Sequence, residues 1–479
     1  KQDWADEPHG IWYPRTTGIW KSVWAERVPD SWIADVEWIP DVASMTMTLR
    51  ADLAGVLPGD QLAVRLRAGE RTLIDDVIGV TDDHVERVFP IGDGGFDDRH
   101  GLLWWPSRPT MMDAELRLLR NGEVVDTVDS ATALRSVDVS DGRFRLNGRP
   151  FQLRMVLDQG YWPESGATPP TLDALRRDIE LARDLGFNAV RKHQKTEDPR
   201  YFALADRIGL MAWVEMPSAY RSGRRASASL LREWSEIVAA HRNHPSVVGW
   251  VPINESWGVE QCERDASQRA TIAALREMTN ALDGTRPVSA NDGWETIGGD
   301  IVGVHDYDQD PVALERRWGS HAGIHEQLTG RRPDGRRSDL DGEPAGGRAV
   351  VLSEFGGTAL DDDTGAETFG TDNWGYDGVA TADDLLERYR ALWAVVHRSD
   401  GLAGACWTQL TDTYQEVNGL LRADRSPKVD VAAVRRATTG RGAPTSTSTE
   451  QPTTEPPTTE PPTTEPPTIQ ATDIAEERP

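Results

Sequence analysis

Two hydrophobic patterns divide the chain. Between residues 26 and 136, short runs alternate apolar and polar positions, as at 44–53 (SMTMTLRADL) and 61–68 (QLAVRLRA). That is the period of a half-buried strand. Clusters such as LPGD at 57–60 and GDGG at 92–95 punctuate them at short intervals. Short strands with frequent turn signals predict an immunoglobulin-like β-sandwich over 26–136.

From 137 to 436 the pattern changes. Apolar runs occur at 151–157 (FQLRMVL), 188–191, 211–215 (MAWVE), 247–254 (VVGWVPIN), 287–291, 301–305 (IVGVH), 349–354 (AVVLSE) and 402–408 (LAGACWT). Amphipathic stretches of helical period separate several of them, with acidic residues in the first turn, as in TLDALRRD from 171 and TADDLLER from 381. Strands that are apolar on both faces and separated by helices imply a parallel sheet. Eight of them predict a (β/α)8 TIM barrel over 137–436. Beyond 437 the composition turns to Thr, Pro, Glu and Ser, with TTEPP in tandem, and predicts a disordered tail over 437–479.

In a barrel of this kind the reactive residues stand at the C-terminal ends of the strands. Each apolar run here does end on a polar, ionisable or aromatic residue. In chain order these are Asp158; Arg191 and His193; Glu215; Asn254 and Glu255; Asn291 and Asp292; His305 and Tyr307; Glu354; and Trp407. Packing alone gives no reason for all eight. Glu255 in PINESWG and Glu354 in VLSEFGG follow apolar strands directly. Two carboxylates facing one cleft are what glycosidic-bond cleavage needs: one to protonate the leaving oxygen, the other to attack or screen the oxocarbenium centre. No HExxH, GxSxG, Walker loop or GxGxxG points to another chemistry.

Composition narrows the partners. The chain holds 52 basic and 78 acidic residues, a net charge of −26. Such a field repels phosphate backbones, so no nucleic-acid partner is expected. No apolar run approaches the roughly 18 residues of a membrane span, so no membrane partner is expected either. The 18 Trp outnumber Tyr and Phe, at 8 each, and suit stacking on the C–H faces of sugars. Cys262 and Cys406 are too few for a disulfide framework or a Cys-rich zinc site.

The motifs GFNAVRKH (186–193), INESWG (253–258), VHDY (304–307), SEFGG (353–357) and CWTQLTD (406–412) resemble those of glycoside hydrolase family 2, the β-galactosidase, β-glucuronidase and β-mannosidase family. EPHGIWYPRTTGIWKSVW (7–24) resembles the end of that family's N-terminal jelly-roll sugar-binding domain, so 1–25 reads as its remnant. The resemblance implies an exo-acting retaining β-glycosidase with Glu255 as acid/base and Glu354 as nucleophile. It implies Asn254 on the sugar 2-OH, Arg191 and Tyr307 on Glu354, and Trp407 as a floor under the sugar. Asp158 and His193 would be further hydroxyl ligands, while His305 and Glu215 read equally as supports. No cofactor is required; Mg²⁺ and Na⁺ come only from some family galactosidases, and no spacing here demands a metal.

Family glucuronidases carry Asn-x-Lys after the eighth strand, where this chain has Glu416, Val417 and Asn418. Without that lysine a neutral hexose is expected, galactose first, with glucuronide and mannoside as alternatives. A catalytically inactive sugar-binding or scaffold protein is the alternative of another class. Because only the last strand of the jelly roll stands here, Trp4, Trp12, Trp20 and Trp24 are expected to be exposed, in a fragment or at a homo-oligomer contact. A cytoplasmic location fits the two unpaired cysteines. It also fits the sequon Asn254-Glu255-Ser256, whose glycan would block the acid, while the Thr/Pro/Glu tail points to secretion.

Overall fold

The computed structural model describes residues 1–2, 4–92, 95–332, 335–341, 347–360 and 373–440. The alternating pattern of the first half resolves into seven antiparallel strands: β1 (Trp32–Asp41), β2 (Thr46–Ala54), β3 (Gln61–Ala68), β4 (Arg71–Gly79), β5 (His84–Pro90), β6 (Met112–Arg120) and β7 (Glu123–Thr132). They form one sheet of order β1-β2-β5 and another of order β4-β3-β6-β7. The helix α1 (Phe96–Leu102) connects β5 to β6. Every second residue of β2 (Met47, Leu49, Ala51, Leu53) meets Leu62, Val64, Leu66 and Leu116 of the facing sheet in one core.

A small antiparallel sheet follows, of β8 (Val137–Ser140), β9 (Arg143–Leu146) and β10 (Arg149–Pro150). Its Phe144 and Leu146 pack with Leu153, Ala189, Met211, Ile301 and Ala349, the first residues of the barrel strands. The hairpin thus plugs the end of the barrel opposite the predicted site.

The barrel strands are β11 (Leu153–Asp158), β12 (Ala189–Lys192), β13 (Met211–Glu215), β14 (Val247–Val251), β15 (Ile301–Asp306), β16 (Ala349–Gly356) and, after the short β17 (Thr358–Leu360) and β18 (Asp377–Val379), β19 (Leu402–Thr408). They run parallel in the order β14-β13-β12-β11-β19-β16-β15. The fifth predicted run, 287–291, is no regular strand. It bridges β14 through Trp250 and Val288, and Asp300 and Ile301 donate backbone bonds to the Val288 carbonyl on the other side. Pro287 has no N–H for a ladder, so the position is filled by isolated bridges. Around the sheet lie α2 (Leu172–Asp184), α3 (Pro199–Ile208), α4 (Arg224–His241), α5 (Ala266–Leu282), α6 (Pro311–Trp318), α7 (His321–Thr329), α8 (Ala382–Arg398) and α9 (Val431–Thr439). The side chains of Thr171 and Thr381 cap α2 and α8 as the acidic first turns suggested. Helix α9 carries ordered chain past the expected start of the tail, most of which lies outside the described residues.

Among the described residues of 1–25 no sheet forms. Bridges between Gln2 and Tyr13 and between His9 and Trp12 shape a loop over the C-terminal mouth of the barrel, where Tyr13 is buried and Trp12 meets Trp257 edge-on at 4.9 Å. Trp4 and Trp24 stand exposed, as expected, whereas Trp12 and Trp20 are half-buried. The sandwich is tied to the barrel where Trp38 N and Val36 O bond the Asn243 side chain and Arg242 pairs with Asp35 at 2.8 Å. Both cysteines are free and buried. Among the described residues no helix is long and apolar enough to cross a membrane.

The barrel interior is tightly filled: a Cβ added at Gly249 would stand 2.7 Å from the fully buried Trp213 ring. Gly249→Ala is therefore expected to cost about 1–3 kcal/mol by overpacking. Urea unfolding should show a lower midpoint at an unchanged slope.

Candidate active site

The parity of the strands decides which side chains enter the cleft. On β12, Ala189 faces the barrel interior and so does Arg191 two residues later; on β13, Met211 and Trp213 lead to Glu215. Arg191 is wholly buried and meets several acceptors at once. Its Nε donates to Glu215 Oε2 at 2.7 Å, its Nη1 to Glu354 Oε1 at 2.8 Å, and its Nη2 to Asn254 Oδ1 at 2.7 Å. Asp292 Oδ2 lies 3.2 Å from Nη2. Burial opposes the charge, but Asp292, Glu215 and Glu354 outweigh it and raise the guanidinium pKa well above its usual value.

Glu354 reaches the interior because β16 slips register between Leu352 and Phe355. Its second oxygen accepts from the Tyr307 hydroxyl, which also lies 3.2 Å from Thr408 Oγ1. Tyr307 in turn stacks face to face on Tyr376. Burial, then the charge of Glu354, raise the Tyr307 pKa, so it stays a donor.

Glu255 sits in a left-handed turn: φ is +51° at Glu255 and +55° at Ser256, unusual for two consecutive residues with side chains. Glu255 N bonds Asp292 O at 2.8 Å, and Ser256 N bonds Asn291 Oδ1 at 2.9 Å, holding the turn against the irregular fifth segment. The turn brings the Glu255 carboxylate beside Glu354. One oxygen of each, with a ring nitrogen of His305, lie within 4.8 Å of one another.

His305 joins the two halves of the site. Its Nδ1 is 2.9 Å from Glu255 Oε1, and its Nε2 is 3.0 Å from Asp292 Oδ2 and 3.4 Å from Glu354 Oε1. Burial disfavours the imidazolium, yet Glu354 and the bonds to Asp292 and Glu255 raise its pKa to about 9. For Glu255, burial pushes the pKa up, but the His305 bond and charge prevail and lower it. Asp292 is likewise lowered, burial being outweighed by Arg191 and His305. Burial raises the Glu215 pKa against the pull of Arg191.

Of the sequence-predicted residues, Arg191, Asn254, Glu255, Tyr307 and Glu354 come together. His193 joins them: its Nδ1 lies 3.0 Å from Glu215 and 3.9 Å from Glu354, and burial keeps it neutral. Two do not. Asp158 follows the interior Leu157, so its side chain turns outward, where Lys192 Nζ bonds it at 2.8 Å in a buried cluster with Glu197. Trp407 follows the interior Cys406 and is fully buried against Phe355 and Tyr389, with no free face for a sugar. Thr408, one residue on, holds the inward position. The sequence reading ranked Asp292 and His305 too low and missed Tyr376 altogether. The first two carried a signal as polar ends of apolar runs, and the last only an aromatic residue next to glycine.

Glu255, His305 and Glu354 have the spacing to hold a cation, and no other such trio stands out among the described residues. A metal ligand must be neutral imidazole. Here both ring nitrogens of His305 lie within hydrogen-bond reach of carboxylates, so a cation bound by the trio would have to displace a ring proton. Replacing Arg191 by Met leaves three buried carboxylates without their cation. We expect a loss of about 3–5 kcal/mol, read as a large fall in melting temperature, even where the variant still folds.

Residues 137–330 match the TIM-barrel domain of glycosyl hydrolases family 2. The chain is 28% identical over 329 residues to a protein named β-galactosidase 2 of Enterobacter cloacae, covering 62% of this chain and 30% of that one. It is 26% identical to a putative β-glucuronidase of Formosa agariphila, covering 60% of this chain and 35% of the relative. The chain thus spans about a third of the length of these curated relatives. A β-galacturonidase of Eisenbergiella tayi, solved with galacturonate, superposes with a TM-score of 0.66 at 16% identity, over 87% of this chain and 73% of that one, a likeness of fold. The chain carries the TIM-barrel domain of glycosyl hydrolase family 2.

Proposed function

We propose that the chain is an exo-acting retaining β-glycosidase working by double displacement. The observation that carries this reading is the pair of carboxylates from opposite sides of one barrel, Glu255 and Glu354, with oxygens within 4.8 Å. A retaining mechanism uses carboxyl groups about 5–5.5 Å apart, whereas an inverting one leaves roughly 6.5–9.5 Å for a water. In the first step a Glu354 oxygen bonds to the anomeric carbon while the glycosidic C–O bond breaks and Glu255 gives its proton to the departing oxygen. In the second, water bonds to that carbon, Glu255 takes the water's proton, and the ester to Glu354 breaks. Arg191 and Tyr307 keep Glu354 oriented, and Asn254, held by Arg191, is the candidate contact to the 2-OH. No cofactor takes part in these steps.

For the sugar, a β-galactoside is our first choice, because no lysine follows Glu416 at the expected place. One observation favours the second reading, a β-glucuronide: Lys1 Nζ lies 2.8 Å from Glu416, and Tyr13 donates to the same carboxylate at 2.9 Å. The acid there is therefore neutralised, and a cation stands close to it. The sandwich, whose strand order we read as immunoglobulin-like, serves as a buttress for α4 and β14. An inactive sugar-binding protein would have no use for the strained turn that sets Glu255 against Glu354.

Initial rates on aryl β-galactoside, glucuronide, mannoside, glucosaminide, glucoside and arabinopyranoside test this. Turnover of one sugar is expected, abolished by Glu354→Gln. In Glu255→Gln it should fall by about 10²–10⁴ for leaving groups that need a proton. A folded chain inert on all six, or activity surviving Glu354→Gln, would sink the reading.

A further inference from the structure

The arrangement around His305 goes beyond what cleavage by two carboxylates requires. A general acid needs only itself and the leaving oxygen, yet Glu255 is bonded to a buried imidazole whose other nitrogen is bonded to a second buried carboxylate, Asp292. The backbone is shaped around this pair. A Cβ at Gly293, where φ is +89°, would collide with the His305 ring, and one at Gly303 would collide with the Asp292 carboxylate. Asp292 is itself fixed by Ser289 Oγ at 2.9 Å and by Arg191. It cannot turn away from the ring.

The geometry points to a proton relay, Asp292–His305–Glu255, in which His305 supplies the proton that Glu255 delivers to the leaving group and takes it back in the second step. This rests on the glycosidase reading above. Glu255 begins ionised against the imidazolium; in the first step the Nδ1 proton of His305 passes to Glu255 Oε1 and on from Glu255 to the departing oxygen, so that His305 ends neutral and Glu255 ionised. In the second step Glu255 removes a proton from water and His305 becomes imidazolium again. The proton count balances over the cycle, and Asp292 keeps its charge throughout, holding Nε2–H.

The groups facing His305 agree with this direction. Glu255, Asp292 and Glu354 present three carboxylates from three segments, and Arg191 Nη1 stands 3.4 Å away on β12. The other side of the ring borders a cavity of about 440 Å³ whose charged lining is Asp306, Asp308, Arg317, Glu326, Arg331 and Arg332. The charge of Glu354 is the largest influence favouring the imidazolium, against burial. Esterification removes that charge in the step in which the proton must leave. His305 is thus a positioning residue for the proton and touches no reacting carbon. The relay also explains how Glu255, whose pKa is lowered, can act as an acid at neutral pH: the pair with His305 holds one proton up to the pH at which the imidazolium titrates.

His305→Gln tests the relay, with the aryl glycoside turned over best as probe, in 2,4-dinitrophenyl and methyl versions. The dinitrophenolate leaves without protonation. We expect kcat/KM to fall about 10²-fold or more on the methyl glycoside and only a few-fold on the dinitrophenyl one, with the alkaline limb of the pH profile moved down by more than about one unit. Equal losses on both substrates with an unmoved limb, or no loss on either, would overturn it. A second measurement needs no turnover: ¹⁵N spectra of the histidine rings, with His305→Gln supplying the assignment. His305 should be doubly protonated at pH 7 and titrate roughly one unit lower in Glu255→Gln. A ring neutral at pH 7, or one indifferent to Glu255, overturns the relay even if the chain cleaves no glycoside, whereas inertness on the sugar panel alone overturns only the function.

Discussion

Everything at the barrel mouth depends on one buried cation. Arg191 has no access to solvent, and an ion of that kind is tolerated inside a protein only when several oriented acceptors replace its water. Here they come from four places: Glu215 on β13, Asn254 after β14, Asp292 on the irregular segment and Glu354 on β16. The dependence runs both ways. Glu215, Asp292 and Glu354 are each nearly or wholly buried, and without the guanidinium they would be mutually repelling charges in a poorly solvated space. The site is a single ionic unit, and its residues hold one another in place more than the surrounding loops do.

This explains the contrast between the two ends of the barrel. At the N-terminal end the interior is filled by apolar side chains and closed by Phe144 and Leu146 of the hairpin. At the C-terminal end the same inward positions carry Arg191, Glu215, His305 and Thr408. The change from apolar to ionic occurs within one or two residues along each strand. A rigid apolar floor lies beneath the ionic cluster, so a shift of Arg191 cannot be taken up by movement below it.

How much of this was legible in the sequence depended on periodicity. Apolar runs on both faces revealed the barrel, and the polar residue ending each run revealed the rim; Arg191, Glu255, Tyr307 and Glu354 followed from that. The same rule, applied one step further, would have placed Asp158 and Trp407 correctly. Each lies one residue after an inward position, Leu157 and Cys406, and a period of two turns it toward the helices. Strand ends and family motif mark the rim, but parity decides which side chains enter it. Glu354 shows why parity was not safe alone, since the register slip after Leu352 alters the count. No local pattern marks such a slip, nor the stacking of Tyr376 on Tyr307, which joins residues far apart in the chain.

In the proposed reaction the ionic unit also links the two chemical steps. Glu354 is at once the proposed nucleophile and the largest charge favouring the proton on His305. Its conversion to an ester would therefore be felt at His305 through 3.4 Å of protein rather than through water, where the same effect would be screened. In that reaction the proton is held ready while Glu354 is ionised and released when Glu354 is esterified, which leaves the Glu255–His305 pair unprotonated and able to take the proton of the attacking water. Arg191 damps this exchange without abolishing it, because Glu215 and Asp292 still balance its charge when Glu354 is neutral. Placing a buried imidazole between Glu255 and a carboxylate that never reacts lets the nucleophile itself set the state of the acid.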